Sequence, residues 1–594
     1  MKDSAWTLLL CVLAAASFAS TVGTVNGTAM TSHAPIMISG DSGFTSVNGV
    51  VAGTGVRADP YLIDGWIINS TISQIGINVS NTRSYFVIQN VRVVNYRFQD
   101  RGVGIQFYNV THGTVETSTI DDNRVGVSLY ASSNVTFSGN EIANNTVDGI
   151  YVGFASANLT FTGNKFAFDG LNFEPTETTA QQWASFTVTP DNTVNGRPIA
   201  FYHACSGITV DGAQIGQLIV ANCNNVEITH LSITNTDSAI QVANVSNLMI
   251  ANSTLTMNRQ SSISLSFVNN TTVQGVTATL NSGGIGFWHA INVTISDNTV
   301  SSNGGSGISL SYASNVTIRS NVFARNANWA LFFYIDQNVR VFHNDFIWNN
   351  QADFWDHVKD VSYWTPSSVK DSWDNGYPSG GNYWTAYDGV DNCSGEGQNN
   401  CRCDPPSFLT CRDGIGDTPY VITSYFANLN PTDRYPLMRP YHSDTTPPSW
   451  SPHDGFQPGI NSEFLRYTSV WLYWTTATDD VKVTSYQIYS NNVLLVTLQA
   501  SQDNVQGYNV TTLAAGNTYT FQIVAVDEDG NASPPLSFTV ITPTILAAAT
   551  SVPAWYLAPI LGAAALAVVI ATFATRRYYR SKRLPRSEIA PNTP

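Results

Sequence analysis

"NVTISDNTV" (292–300), "NVTIRSNVF" (315–323) and "NVRVFHNDF" (338–346) are versions of one phrase, set 23 residues apart. In each, the second and fourth residues are apolar and β-branched: Val293 and Ile295, Val316 and Ile318, Val339 and Val341. A period of two in such residues specifies a strand with one buried face. A second apolar site falls at the ninth position, in Val300, Phe323 and Phe346, and a third short run closes the unit, as in "GISL" (307–310) and "ALFF" (330–333). Working outward, the phrase starts again at Ser84, His112, Asn134, Asn158, Asn225, Asn247 and Asn270. Where its register is unbroken, successive starts lie 22 to 24 residues apart. Three short strands per unit of this length describe one coil of a parallel β-helix. Helical solenoids are excluded, because their apolar period is 3.6.

Asparagine marks the corners. It recurs at the seventh position (Asn90, Asn140, Asn164, Asn298, Asn321, Asn344) and at the twelfth (Asn95, Asn123, Asn145, Asn258, Asn281, Asn303, Asn326, Asn349). Stacked amides hydrogen-bond along the axis, and asparagine tolerates the left-handed backbone of a sharp corner. Several N-x-[ST] sequons, among them Asn134, Asn158, Asn292 and Asn315, are simply this repeat consensus. Asn509 and Asn531, outside the repeat, are the cleaner glycosylation candidates.

The ends of the 594-residue chain read as targeting segments. Residues 1–22 have the Lys2, apolar-run and small-residue order of a secretory signal peptide. After a short linker (544–552), residues 553–575 form an uncharged, mostly apolar stretch reaching ~34 Å as a helix, long enough to span a bilayer. Arg576, Arg577, Arg580, Lys582, Arg583 and Arg586 follow it and place the tail, 576–594, in the cytoplasm. The expected topology is a single-pass membrane protein with its bulk extracellular. The portion between these ends carries about twenty more acidic than basic side chains, which excludes nucleic acid as a partner. Six cysteines remain beyond the signal, Cys205, Cys223, Cys393, Cys401, Cys403 and Cys411. An even number in an oxidising compartment points to disulfides; zinc is the rival for the last four, against which stands the lack of a C-x-x-C pair.

Four stretches resemble the NosD-like family of right-handed β-helix proteins, a fold also described as carbohydrate-binding and sugar-hydrolase. They are "PIMISGDSGFTSVNGVVAGTGVRADPYLIDGWII" (35–68), "DNTVNGRPIAFYH" (191–203), the NVT-type coils, and the run from Gly380 to Met438 with "GGNYWTAYDGVDN", "RDGIGD" and "DRYPLM". Surface proteins of this kind are common in archaea. The resemblance implies an N-terminal cap and first strands over 34–80, a right-handed parallel β-helix over 81–370 and a disulfide-containing cap over 371–440. It does not fix an activity. Residues 446–543 resemble a fibronectin type III domain, with Trp474 in its core and Tyr519 as its tyrosine corner. The fold class expected is therefore all-β: a β-helix, a β-sandwich and one C-terminal transmembrane helix.

Four chemistries compete. Sugar hydrolysis needs two converging carboxyl groups; Asp121, Asp122 and Asp297 are the candidates, yet they occupy different positions of their coils. Copper, which the NosD name implies, needs clustered Cys, Met or His, and His203, Cys205 and Cys223 are the one local group, more simply read as a disulfide between coils. Asp388, Asp391, Asp413 and Asp417 offer hard oxygens for a structural Ca²⁺ or, equally, turns of a stapled loop. Finally, 16 of the 59 residues from Trp329 to Tyr387 are aromatic against 11% overall. Most of them suit a plug closing the solenoid, leaving Trp348, Trp355 and Trp364 to stack on sugar. The reading is carbohydrate or cell-surface recognition without catalysis, with surface glycans or envelope components as partners. Alternatives are a tethered polysaccharide hydrolase or lyase, and a purely structural envelope protein.

Overall fold

The computed structural model describes residues 30–69, 74–94, 102–175, 182–350, 360–365, 371–398, 402–403, 411–422, 430–442, 446–450, 460–463, 465–479, 483–500, 505–527 and 530–544. A solenoid of about 12 turns occupies the larger of its two compact units. One coil shows why the repeat folds so. Its strands are Ile291–Ser296, Thr299–Ser301 and Ile308–Ser311. Each pairs in parallel with the same phrase one coil on: Val293 with Val316, Val300 with Phe323, Leu310 with Phe333. The alternate residues point inward and are buried, so each coil adds one rung to apolar columns that no coil could bury alone. In the N-terminal half the column is aromatic, with Phe107, Phe137 and Phe161 at 6.3 and 5.5 Å between ring centres.

The halves meet where the phrase is interrupted between Asn158 and Asn225. Here Thr193–Val194 turns back through Gly196 onto Arg197–Pro198 as an antiparallel pair, the part of "DNTVNGRPIAFYH" that departs from the coil pattern. Sheets built on the strands up to 187–188 give way to a seven-stranded parallel sheet running from Ser232–Thr234 to Tyr383–Trp384. The asparagines that open each phrase take positive φ values, as at Asn292 (56°) and Asn315 (56°), whereas at the corners of Asn298 and Asn303 the left-handed residue is the one before, Asp297 (59°) and Ser302 (54°).

The far end of the solenoid is closed by the aromatic plug. Trp373 and Trp384 are buried, with Phe346 and Tyr420 stacked on Trp384 at 4.2 and 4.5 Å. Asp433 ties the plug down, accepting from the Trp384 Nε1 and the Asn382 backbone N–H. Arg434 grips Asp374 through two nitrogens at 2.9 and 2.7 Å.

The second unit is a β-sandwich of a three-stranded and a four-stranded antiparallel sheet. Trp474 is its buried core residue, packed edge-on to Tyr486. Tyr519 makes the tyrosine corner, its hydroxyl accepting the Ala514 N–H at 2.8 Å. Among the described residues no helix is long and apolar enough to cross a membrane. The segments expected to be a signal peptide (1–22), a membrane span (553–575) and a cytoplasmic tail (576–594) lie outside the described residues.

Candidate functional site

Each coil's third strand ends at a corner whose residues face outward. In the C-terminal half, register carries the last strand positions from Ser266 to Trp288, Ser311, Tyr334 and Trp364, one per coil. The corner residues that follow are Phe267, His289, Tyr312 and Ile335, all in left-handed backbone. Their rings interlock. Trp288 meets Tyr312 edge-to-face at 5.0 Å, and Tyr312 meets Tyr334 at 5.5 Å. His289 lies flat between Phe267 and Tyr312, at 5.1 and 4.8 Å. The result is a braced aromatic ridge that stays open to solvent, with Trp288 40% and Tyr312 and Tyr334 each 36% exposed. Apolar rings held at a surface mark a binding site more strongly than buried ones do.

Of the three tryptophans expected to contact ligand, Trp364 extends this ridge beside Tyr334, its Nε1 donating to Ser362 Oγ at 2.9 Å. Trp348 sits half-buried in the plug near Ile347 and Tyr383. Trp355 lies outside the described residues. Trp288 and Tyr312 escaped the reading of the sequence because they precede its aromatic-rich segment. The signal at Trp288 was periodic rather than local: an aromatic residue at the strand-end position that Tyr334 and Trp364 also occupy, while Tyr312 follows that position by one residue.

The candidate catalytic carboxylates are not brought together. Asp121 is held by Arg92, through Nε at 3.2 Å and Nη2 at 2.7 Å. Asp122 is the next residue, in a left-handed corner. Asp297 accepts from Gln274 Nε2 at a different corner of a coil in the other half of the solenoid, several coils of ~4.8 Å each along the axis. Three other aspartates do converge, but inside the wall: Asp148, Asp169 and Asp237 are all buried. Asp169 accepts the Asn145 side-chain amide at 2.7 Å and faces Arg259 at 3.2 Å. Asp237 accepts the Gly149 N–H at 2.9 Å. Burial pushes the Asp148 carboxyl up to about 6 and that of Asp169 up to about 7, and it raises that of Asp237 well above the usual carboxylate range. This cluster joins the two halves and offers no face to a polymer.

The metal candidates serve the loops. Asp391 accepts from the Asp413 and Gly414 backbone, Asp413 from Ile415, and Asp417 from Asn392, Ser394 and Gly395. Asp388 is exposed. These are the turn contacts of a folded loop, and among the described residues no group of three or more His, Cys, Asp or Glu is set to hold a metal ion. Cys205 and Cys223 form a disulfide across adjacent coils, with Cα atoms 4.5 Å apart. His203 is exposed beside them, stacked on Phe201. With both sulfurs oxidised, these residues do not fit copper. Cys393 is also disulfide-bonded. Cys401 lies outside the described residues, as do the side chains of Cys403 and Cys411, whose backbones pair across two strands. Asn509 is exposed on its strand, whereas the Asn531 amide donates to Asp527 at 2.8 Å.

Comparison with known proteins agrees with this architecture. Residues 191–389 match the family model for the periplasmic copper-binding protein (NosD), residues 38–215 that for the right handed beta helix region, and residues 457–539 that for the fibronectin type III domain. The chain is a NosD-like parallel β-helix joined to a fibronectin type III domain. Chitinase D of Niallia circulans is 39% identical over 87 residues, 14% of this chain and 16% of that protein. Chitinase Chi52 of Paenibacillus xylanexedens is 37% identical over 90 residues, 15% of each. The NosD-like chain thus spans only about a sixth of the length of these relatives. Among solved structures, a periplasmic alginate epimerase is 11% identical, with 52% of this chain and 74% of that one covered and a TM-score of 0.23. The A-module of an Azotobacter vinelandii mannuronan C-5 epimerase is also 11% identical, with 56% and 95% covered and a TM-score of 0.20.

Proposed function

We propose that this protein is a membrane-anchored extracellular receptor for carbohydrate, whose β-helix binds glycan without cleaving it. The observation that carries the reading is the ridge of exposed Trp288, Tyr312 and Tyr334, continued by half-buried Trp364, along the ends of stacked strands. Aromatic faces stack on the C–H surfaces of sugar rings, and a ridge already braced by its own contacts loses little entropy on binding. Asp121 and Asp297 stand too far apart to act as an acid–base pair. The apolar segment 553–575 supplies the anchor and the fibronectin domain the spacer.

A glycan-array screen of the full-length chain, followed by product analysis of each bound glycan, tests the proposal. Binding without new reducing ends or unsaturated products is expected. Cleavage of any bound glycan contradicts the non-catalytic reading, and silence across the array contradicts recognition itself.

A further inference from the structure

The third strands of five successive coils, Ser261–Ser266, Gly283–Trp288, Ile308–Ser311, Leu331–Tyr334 and Val361–Trp364, bear the ridge and contain no charged residue. From this and the line of the ridge we infer that the ligand is an uncharged, linear glycan lying along the helix axis; the inference rests on the carbohydrate reading above. A carboxylated or sulfated polymer would have to leave its charges without Arg or Lys partners on this face, at a desolvation cost that stacking does not offset. The net charge of −15 on the chain adds a repulsion that any polyanion meets before contact.

The direction follows from register. Trp288, Tyr334 and Trp364 stand in one column, and Tyr312 fills the rung between the first two with its ring. Coils repeat every ~4.8 Å, so these four aromatics line ~14 Å parallel to the axis. Beside Trp288 and Tyr312 the outward positions are small, Gly286 and Ser309, with Ser264 one coil before them, which leaves a low shelf that ends where Phe332 stands beside Tyr334. A Cβ added at Gly286 meets nothing nearer than the Ile263 carbonyl at 3.9 Å, so the space over that strand is open. A sugar chain crossing the coils at right angles would touch one aromatic residue; a chain along the axis touches all four. The serine hydroxyls then lie within reach of ring hydroxyls without introducing charge.

The test is calorimetric titration of the full-length protein with neutral hexasaccharides (cellohexaose and chitohexaose) and with acidic ones (hexagalacturonate and hexamannuronate), each at low and high salt. Dimers of the neutral sugars are run alongside. The account expects a neutral hexasaccharide to bind with affinity unchanged by salt, the dimer to bind about tenfold or more weaker, and Trp288→Ala and Tyr334→Ala each to weaken the hexasaccharide by up to about tenfold. Trp288→Phe, which keeps a ring in place, retains most of the affinity and separates stacking from misfolding. Salt-sensitive binding of the acidic sugars alone, lost in Trp288→Ala, overturns the inference while leaving carbohydrate recognition standing. Equal affinity for dimer and hexamer overturns the axial arrangement. Binding of none of the four overturns the recognition reading and the inference together.

Discussion

The Asn349 side-chain amide donates to the Asp360 carboxylate at 3.0 Å, and there the ladder that starts at Asn258 ends on an acceptor. Along that ladder each asparagine Oδ1 accepts from the coil before and each Nδ2 donates to the coil after. A final asparagine would carry a buried N–H with no coil to receive it; an aspartate carries none. The same ending recurs at Asn382 with Asp433 and at Asn145 with Asp169. Three ladders, each ended by a carboxylate, give the solenoid a chemical polarity.

These endings predict an acid-favoured fold. Burial pushes the carboxyls of Asp169, Asp360 and Asp433 each up to about 7, whereas in the unfolded chain they titrate near 3.9. A raised value means that the stability from these groups is full below about pH 4 and lost as pH climbs through about 7. His442, raised by its hydrogen bond to Asp345, acts in the same direction. Asp41 and Asp374, both lowered, act in the opposite one and set an acid limit. The thermal midpoint is therefore expected to peak near pH 4 to 5 and fall toward pH 7.5, and Asp360→Asn with Asp433→Asn should flatten that fall. Scanning calorimetry across the range decides it; a midpoint that rises with pH contradicts the account.

Buried and exposed ladders should differ in cost. Asn303 is buried, and its Oδ1 accepts both the backbone and side-chain N–H of Asn281 at 2.9 and 3.1 Å. Asn303→Ala leaves these donors without a partner and should cost about 3 kcal/mol. Asn315 stands in a parallel but exposed ladder, donating to Asn292 at 3.1 Å. There water replaces the lost bond, and Asn315→Ala should cost only about 1 kcal/mol, mainly from its left-handed backbone. Denaturant midpoints of the two variants measure the difference; equal losses would show that the ladders hold the coils by backbone geometry alone.

Copper binding is expected to be absent in the oxidised protein. The Cys205–Cys223 disulfide leaves only exposed His203 of the suggested ligand group. Titration with Cu²⁺ and Cu⁺ followed by desalting should leave no stoichiometric metal. Copper retained by the oxidised chain, and lost in His203→Ala, would contradict this.

The solenoid was legible because its period is written in short-range alternation: Val293 and Ile295 state the strand, and Asn298 and Asn303 state the corners. The buried asparagine ladders followed from the same spacing. The aromatic plug was legible as composition, and Trp373 and Trp384 fill it. The ridge was not, because its members stand a full coil apart and matter only once Trp288, Tyr312 and Tyr334 are set side by side. Nor were the ladder ends, since Asp169 and Asp360 look like ordinary acidic residues until the coil after them is seen to offer no matching asparagine. The cluster of Asp148, Asp169 and Asp237 was hidden for a further reason. Its members come from both sides of the interrupted register between Asn158 and Asn225, where the repeat no longer shows which positions stack.

The central claim is that the aromatic ridge, and no carboxylate pair, is the working surface. It is tested most directly by comparing the Trp288→Ala/Tyr334→Ala double variant with the Asp121→Asn/Asp297→Asn double variant in full-length protein, reading binding and product formation on one set of glycans. The account predicts that the aromatic variant loses binding, that the aspartate variant binds as the unaltered chain does, and that no product forms with any of the three. Product formation abolished by the aspartate changes, with binding indifferent to Trp288 and Tyr334, would contradict it.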